Sequence, residues 1–388
     1  MKQGWEIKKL GEVCDFYRGL TYSKKDEVEI SSTGVLRSNN IDLANNQLNL
    51  EEIKYISDSI IVPKDKKIKK GSLLICTANG SKSHLGKVAL IDEDYNYAFG
   101  GFMGLMVPHK QIMTPKYFYY SLITSDYKNY IKKLSDGANI NNLKFKDLQL
   151  FEIPVPSLLE QGRIVGVLDA AFAKIDALKE NAQKNLENAK ALFQQVLKQE
   201  LTPKPNWQTK KLGEVCKYIK EQGSYSNLPY VGMEDIEPET NKYLGKLIPK
   251  NVKSTTFKFH QGYVLFGRLR PYLRKVLTPK FEGHCSTEIF PIQPCQDINC
   301  EFLRFWFLDN IDDINRTCTG ARMPRANMND VLNFVISYPQ IDEQEEIVLK
   351  IENITQKSNK VIANAEKTIA ECDALKQAVL RRAFNGEL

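Results

Sequence analysis

The groups that could carry catalysis lie in separate segments of the chain, and no spacing joins them. The four histidines form no HxxxH or HExxH pair, and the Asp/Asn-Pro-Pro-aromatic signature of amino-methyltransferases does not occur. Residues 80–87 resemble a phosphate-binding loop, but five residues separate the two glycines where that motif has four. Val88 then stands where a Ser or Thr would meet the metal ion. The sequence therefore predicts no catalytic residue in this chain.

The eight cysteines are also scattered, and no Cys-x-x-Cys pair occurs. Cys295 and Cys300 are the nearest pair, but no second pair lies at metal-ligand spacing. Disulfide frameworks belong mainly to secreted proteins, whereas reduced thiols are usual inside the cell. We expect no metal site and a cytoplasmic location.

Basic and amide side chains, by contrast, cluster in loops, two of which directly follow predicted strands. In the first half of the chain they are Arg37, Asn39, Asn40, Asn79, Lys82, Asn139, Asn141 and Lys144. In the second half they are Arg268, Arg270, Arg274, Lys275, Arg322 and Arg325. Arg pairs with guanine and Asn with adenine in the major groove, while Lys contacts phosphates. These residue types predict contacts with double-stranded DNA, and a solvated surface charge is the alternative for each one alone.

The segments that would position these loops occur twice in the chain. The segment Trp5–Cys14 (WEIKKLGEVC) recurs as Trp207–Cys216 (WQTKKLGEVC). Further on, an Ile-x-x-Pro-x-x-x-Glu-Gln segment ends at Gln161 and again at Gln344. The repeat predicts two domains at 1–155 and 202–338, each followed by a long helix at 156–201 and 339–388.

Each repeated domain is predicted to have an α+β fold. Short apolar runs bounded by glycine predict strands at 73–76, 88–91 and 105–107, and in the second domain at 263–266 and 288–292. Thr114 and Pro115 have the residue types of a helix N-cap and first position. We therefore expect two mixed α/β domains with two long helices between and after them.

The two long segments have heptad spacing and should pair as an antiparallel coiled coil. At about 40 residues, each helix would expose an apolar stripe to water unless the stripes cover one another. The predicted pairing residues are Leu168, Ile175, Leu178, Leu192 and Val196 with Ile347, Ile354, Val361, Leu375 and Val379. The alternative is that each helix packs against its own domain.

The composition of the chain bears on its possible partners and on membrane contact. The net charge of +7 permits a polyanionic partner without requiring one. No apolar run approaches the ~18 residues of a membrane span, so we expect no membrane contact.

The duplicated motifs resemble those of the specificity subunit of type I restriction–modification systems. Trp-x-x-x-x-Leu-Gly-Glu-Val opens each half, Pro-x-x-x-Glu-Gln precedes each long helix, and Ala383–Leu388 (AFNGEL) ends the sequence. The resemblance covers essentially the whole chain. It implies two target-recognition domains, each reading half of a bipartite DNA sequence, with helices that set the spacer. It also implies two docked methyltransferase subunits that carry S-adenosylmethionine, and separate restriction/translocase subunits.

Two other functions remain open at the level of sequence. A coiled-coil adaptor that binds only proteins would not need Arg268, Arg270 and Arg274 for DNA binding. A stand-alone nuclease or methyltransferase would show turnover with DNA, Mg²⁺ and S-adenosylmethionine.

Overall fold

The computed structural model describes residues 3–136, 142–320 and 322–388 and divides into two compact units. Unit 1 comprises residues Met1–Asn181 and Lys367–Leu388, and unit 2 comprises Ala182–Glu366. Each unit therefore contains one globular domain and a part of both long helices. The predicted sites Asn139 and Asn141 lie outside the described residues.

Unit 1 contains ten strands and four short helices among its described residues. The strands are β1 (Glu6–Lys9), β2 (Cys14–Arg18), β3 (Glu27–Val28), β4 (Thr33–Leu36), β5 (Lys54–Ile56), β6 (Leu73–Cys76), β7 (Val88–Leu90), β8 (Tyr97–Phe99), β9 (Met103–Pro108) and β10 (Glu152–Val155). The helices are α1 (Leu10–Val13), α2 (Pro115–Ser121), α3 (Ser125–Asp136) and α4 (Phe145–Leu148), and the long helix α5 (Leu158–Glu200) follows them. Strands β2-β9-β6-β7 form one sheet, β3-β5-β4-β8 a second, and β1 pairs with β10.

Unit 2 repeats this order of elements. Its strands are β11 (Gln208–Lys211), β12 (Cys216–Tyr218), β13 (Gln222–Gly223), β14 (Tyr230–Val231), β15 (Thr256–Phe259), β16 (Val264–Gly267), β17 (Val276–Leu277), β18 (Gly283–Cys285), β19 (Ile289–Pro294) and β20 (Val335–Tyr338). Its helices are α6 (Leu212–Val215), α7 (Cys300–Asp309), α8 (Ile311–Arg316), α9 (Met328–Leu332) and the long α10 (Ile341–Phe384). The mixed fold and both long helices agree with the sequence-based prediction, and the exact domain boundaries stay a prediction.

The first sheet is the same in the two units, whereas the second sheet is rearranged. The order β12-β19-β16-β17 in unit 2 reproduces β2-β9-β6-β7 in unit 1. In the second sheet, β4 lies between β5 and β8 in unit 1, but β18 lies between β15 and β14 in unit 2. A parallel pair, β4 with β8 or β14 with β18, is present in both. The repeat therefore has a constant sheet and a variable one.

The long helices pair antiparallel within each unit. In unit 1, Lys179 Nζ lies 2.6 Å from Asp373 Oδ1, and Arg163 Nη2 donates a hydrogen bond to the Leu388 carbonyl at 2.6 Å. In unit 2, Lys350 Nζ lies 3.8 Å from Glu200 Oε2. Higher numbers on α5 thus meet lower numbers on α10, as antiparallel pairing requires. None of the described helices is long and apolar enough to span a membrane.

The predicted seam is half correct. Leu168, Ile175 and Val196 on α5 and Ile347 on α10 are buried, and Ile354 and Val379 are partly buried. Exposure of 44–52% shows that four predicted pairing residues point outward: Leu178, Leu192, Val361 and Leu375. In each heptad, the second core position lies four residues after the buried one, as Phe172 does after Leu168 and Phe193 after Ala189. The predicted pairing residues place this second position three residues after, which is wrong.

Each domain also packs on both long helices. The core of unit 1 contains Ile164 and Leu168 of α5 together with Leu380 and Ala383 of α10. The core of unit 2 contains Phe193 of α5 and the buried Ile347 and Ile351 of α10. The two alternatives for the helices, mutual pairing and packing on a domain, are therefore both realised.

Candidate nucleic-acid interface

In unit 1, the first candidate segment is the turn that follows β4. Residues Ser38–Asn40 form a 3-10 turn at the end of this buried strand. Asn39 is exposed and Arg37 is partly buried. The Nε of Arg37 is buried without a hydrogen-bond partner among the described residues. The turn thus presents Arg37 and Asn39 as candidate readers.

Asn40, also predicted to contact DNA, has a structural role instead. Its side chain is 1% exposed and donates to the carbonyls of Asn49 and Glu52, at 2.9 Å each. Its Oδ1 accepts a hydrogen bond from the Arg37 backbone N–H at 2.8 Å. Because the amide already bonds to its own chain and is shielded from solvent, Asn40 shapes the turn and leaves the set of candidate base contacts.

The loop after β6 lies beside this turn. Asn79 Nδ2 donates to the Ser38 hydroxyl at 2.9 Å, which joins the two segments. The same loop pairs with the later segment that carries Lys144, because the Leu143 N–H donates to the Thr77 carbonyl at 2.7 Å. Lys82 and Lys144 are both exposed, and Lys82 lies 3.2 Å from Asp136. The structure therefore brings together the predicted residues of unit 1 that it describes.

Unit 2 builds the same arrangement from different side chains. The loop after β16 pairs with residues 324–326, since the Arg270 N–H donates to the Pro324 carbonyl at 2.7 Å and the Ala326 N–H to the Arg268 carbonyl at 2.9 Å. This pairing places Arg268, Arg270, Arg322 and Arg325 in one region. Arg322 is exposed. The equivalence of the two post-strand loops, inferred from sequence, is thus visible in their backbone bonds.

Two of these arginines have partners within their own domain. Arg325 forms an ion pair with Glu288: its Nε lies 3.1 Å from both carboxylate oxygens, and its Nη2 lies 3.0 Å from Oε1. Hydrogen bonding to Glu288 raises the pKa of Arg325, so the guanidinium stays charged. The Arg268 guanidinium lies 5.0 Å from the centre of the Phe290 ring. The Arg325 side chain is still 38% exposed, so its ion pair orients the guanidinium without shielding it from a ligand.

Arg274 and Lys275, predicted to bind DNA, bond to the interior instead. Arg274 forms an ion pair with Glu239 and donates to Gln194 Oε1 at 2.9 Å and to the Leu308 carbonyl at 2.8 Å. Lys275 Nζ donates to the Met233 carbonyl at 2.6 Å. Both residues thus anchor the loop and are not free to contact bases.

Two exposed aromatic side chains beside these loops were missed by sequence reasoning. Phe102 is 74% exposed, and its carbonyl accepts hydrogen bonds from the backbone of Thr77 and Ala78. Tyr272 is 48% exposed at the tip of the 268–274 loop. The signal was available, since Phe102 follows two glycines and Tyr272 follows a proline, but aromatic residues are more often core. Base stacking is the chemistry that such side chains can offer.

His284 and Cys285 do not form a nucleophilic pair. Both residues lie in β18, where His284 is 1% exposed and contacts Thr256 Oγ1 at 2.9 Å and the Lys250 carbonyl at 3.1 Å. Burial raises the pKa of the Cys285 thiol well above its usual range, so the thiolate needed for attack is disfavoured. Across 3–136, 142–320 and 322–388, no group of three His, Cys, Asp or Glu side chains has the geometry of a metal site. That no metal binds stays a prediction.

Comparison with known proteins identifies the family of this duplicated framework. Residues 2–188 and 204–370 each match the family described as the type I restriction modification DNA specificity domain. The chain belongs to this family. It is a specificity subunit of a type I restriction–modification system, with two target-recognition domains, and its role is recognition and not catalysis.

The relatives and the solved structures agree with this assignment. The type I restriction enzyme StySPI specificity subunit of Salmonella potsdam is 25% identical over 421 residues, which cover 100% of this chain and 90% of that protein. The EcoKI specificity subunit of Escherichia coli K12 is 24% identical over 441 residues, with the same shares covered. For the HsdS subunit from Thermoanaerobacter tengcongensis, the TM-score is 0.56 at 18% identity, with 100% of this chain and 98% of that chain covered.

A chain from a structure on the assembly and conformational transition of the type I R-M system is more similar in fold. Its TM-score is 0.79 at 18% identity, and the match covers 100% of this chain and 99% of that chain. At this identity the likeness shows the fold alone. The two-domain architecture with a central and a C-terminal long helix is therefore that of specificity subunits.

Proposed function

We propose that each globular domain of this specificity subunit reads one half of a bipartite, asymmetric DNA target. The observation that carries the proposal is a duplicated cluster of loops with one backbone frame and different side chains. The turn after β4 carries Arg37 and Asn39, whereas the turn after β14 carries Gly232 and Glu234 at the corresponding places. A common frame with different readers is what recognition of two unlike half-sites requires.

The paired helices then set the unread spacer and dock two methyltransferase subunits. In support of docking, several large apolar side chains of the helices are exposed, among them Leu178, Leu192, Leu349, Val361 and Leu375. Because the two helices already pair with each other, apolar residues that remain exposed on their outer faces suit burial against another protein. Restriction/translocase subunits join the same assembly.

S-adenosylmethionine binds to the methyltransferase subunits in this proposal, and this chain holds no cofactor. The complex acts in the cytoplasm, where it meets chromosomal DNA. The eight cysteines are free thiols, which fits a reducing compartment.

The decisive experiment exchanges one domain and determines which DNA sequences are methylated. The wild-type chain is produced with the methyltransferase subunit of its system in cells that lack other adenine methylation, and modified adenines are mapped across the genome. We expect a single bipartite motif. Replacement of residues 12–150 by the corresponding domain of another specificity subunit should then change one half of that motif and preserve the other half and the spacer.

Two outcomes would contradict this proposal. If both halves of the motif changed, or neither did, the domains would not be independent readers. The second outcome concerns the arginines of the candidate interface. If their substitution left the salt-dependent affinity of the complex for DNA unchanged, a protein-only adaptor would describe the chain better.

A further inference from the structure

Two lysines occupy equivalent places in the two units without serving as exposed phosphate contacts. Lys87 directly precedes β7, and Lys275 directly precedes β17. Each follows a loop of the candidate interface, which spans residues 77–86 in unit 1 and 268–274 in unit 2. Lys87 is 7% exposed, and Lys275 is partly buried.

Both ammonium groups bond to the turn that follows a strand of the parallel pair, β4 in unit 1 and β14 in unit 2. Lys87 Nζ donates to the Ile41 carbonyl at 2.6 Å, and Lys275 Nζ donates to the Met233 carbonyl at 2.6 Å. Ile41 directly follows the turn Ser38–Asn40, and Met233 begins the turn Met233–Asp235. In each unit, a lysine at the end of one interface loop thus bonds to one end of another interface turn: the far end in unit 1 and the near end in unit 2.

The rest of each turn is also the same in both units. The Asn40 side chain accepts from the Arg37 N–H at 2.8 Å, and the Asp235 side chain accepts from the Gly232 N–H at 2.7 Å. The Asn49 N–H donates to the Asn40 carbonyl at 2.9 Å, as the Leu244 N–H does to the Asp235 carbonyl at 2.8 Å. The lysine bond therefore belongs to a repeated frame and is not an isolated contact.

A lysine is an unfavourable choice for filling this space. Burial lowers the pKa of Lys87, because the ammonium loses hydration when the chain folds. An apolar side chain of similar length would avoid that cost, so packing does not account for the residue. A charge-assisted hydrogen bond to a carbonyl, which fixes the position of the turn, does.

We propose that Lys87 and Lys275 are positioning residues, each of which controls the fidelity of recognition at one half-site. The inference rests on the proposed function, since it assumes that each domain reads one half-site. Reading groups must be held within about 0.5 Å of their productive geometry. By tying the turn to the end of the neighbouring loop, each lysine fixes the relative positions of two reading segments.

The test compares Lys87→Met and Lys275→Met in the assembled complex. Adenine methylation is measured at sites that match the motif and at sites with one mismatched base in either half. In Lys87→Met, the preference for the correct first half should fall roughly tenfold, which is within the usual effect of one mismatched pair. Discrimination in the second half should remain as in the wild type. Lys275→Met should show the reverse pattern.

Exposed lysines of the same two units supply matched controls. Lys132→Met in α3 and Lys253→Met in the 247–254 loop remove the same charge without removing a turn anchor. We expect wild-type discrimination in both half-sites for these two variants. A similar loss in the controls would show that net charge is responsible, and this would overturn the proposal.

The outcomes separate this inference from the proposed function. If the wild-type complex methylated no bipartite motif, the proposed function would fail. If the wild type recognised such a motif but both lysine variants left each half unchanged, or relaxed both halves together, only the positioning role would be refuted. Lys87 is deeply buried, so the variant Lys87→Met can fail to fold. Lys275 is only partly buried, and the result for Lys275→Met is therefore sufficient to decide the question.

Discussion

Arginines in the second domain differ in what they contact, and this decides what each can do. Arg274 bonds to Glu239, Gln194 and the Leu308 carbonyl, so its guanidinium connects the loop to α5 and α7. Arg322 lies two residues before the paired segment 324–326 and is exposed. Sequence alone assigned both residues to DNA, but one is an internal anchor and the other a candidate contact.

Substitution should distinguish these two arginines. We expect Arg274→Met to lower the free energy of unfolding by about 1–3 kcal/mol, because it leaves Glu239 and the Leu308 carbonyl without their partner. Arg322→Met should leave stability nearly unchanged but weaken DNA binding by the complex. It should also reduce the slope of log affinity against log salt by about one. Chemical denaturation and salt-titrated binding measure the two effects, and an identical response of both variants would contradict the assignment.

A second residue with a defined electrostatic role is His284. Burial lowers its pKa below the ordinary value of 6.5, because charging the ring would remove the imidazolium from water. The folded domain therefore holds the ring neutral, while the unfolded chain takes up a proton as the pH falls through about 6.5. The free energy of unfolding should then be greatest above this pH and fall as the solution is acidified below it.

This sign can be tested by unfolding the chain at several pH values. We expect stability to decrease between pH 7 and pH 5, and His284→Gln to flatten part of that dependence. A slope that His284→Gln leaves unchanged would show that other groups dominate.

At the scale of elements, the repeated Glu-Gln motif has a mechanical explanation. The Gln161 side chain is 0% exposed, accepts from the Thr114 N–H at 2.8 Å and donates to the Ile112 and Pro156 carbonyls. Gln344 makes the same three bonds to Asn299, Asp297 and Pro339. Each glutamine joins the first turn of a long helix to the start of α2 or α7. Thr114 is the N-cap of α2 and Pro115 its first residue, as predicted, although the Thr114 side chain makes no capping hydrogen bond.

Removal of either glutamine should detach a domain from its helix. We expect Gln161→Leu or Gln344→Leu to lower the free energy of unfolding by about 2–4 kcal/mol, since a buried N–H and two carbonyls lose their partners. Gln149→Leu, at an exposed position, is the control and should change stability by less than about 0.5 kcal/mol. Denaturant unfolding with a constant m-value would establish that stability itself has changed, whereas wild-type stability of both variants would exclude the role.

At the scale of the whole molecule, the duplication separates a constant frame from variable readers. The first sheet, the opening motif and the helix anchor are the same in both units, while the second sheet and the loop side chains differ. Such a chain contributes recognition to a complex whose chemistry resides in other subunits. The absence of catalytic activity in the isolated chain is therefore a property that can be measured.

We expect the purified chain to transfer no methyl group and cleave no DNA when it is given duplex DNA, Mg²⁺ and S-adenosylmethionine. Addition of the methyltransferase subunit should produce sequence-specific methylation. The control is the methyltransferase subunit without this chain, which should not methylate the motif. Turnover by the chain alone would reinstate the stand-alone enzyme hypothesis.

The duplication, five of the twenty strands in the described residues and the existence of two long helices could be read from the sequence, because these features depend on local periodicity and on repeated motifs. The predicted strand at 73–76 coincides with β6, and the heptads of 160–199 lie within α5. The second position of each heptad could not be read with certainty. Spacings of three and four residues both lie near one helical turn, and packing against the partner helix selects the latter.

The roles of individual polar residues were decided only by tertiary structure. Arg37 and Asn40 are close in sequence, yet only the Asn40 side chain is bonded within the domain. Arg274 and Arg322 are residues of the same type, yet only Arg274 is bonded within the domain. Residue type states which hydrogen bonds a side chain can make. Whether those bonds are used within the chain or left for a ligand depends on distant segments, such as Asn49 for Asn40 and Gln194 for Arg274, which folding alone brings into contact.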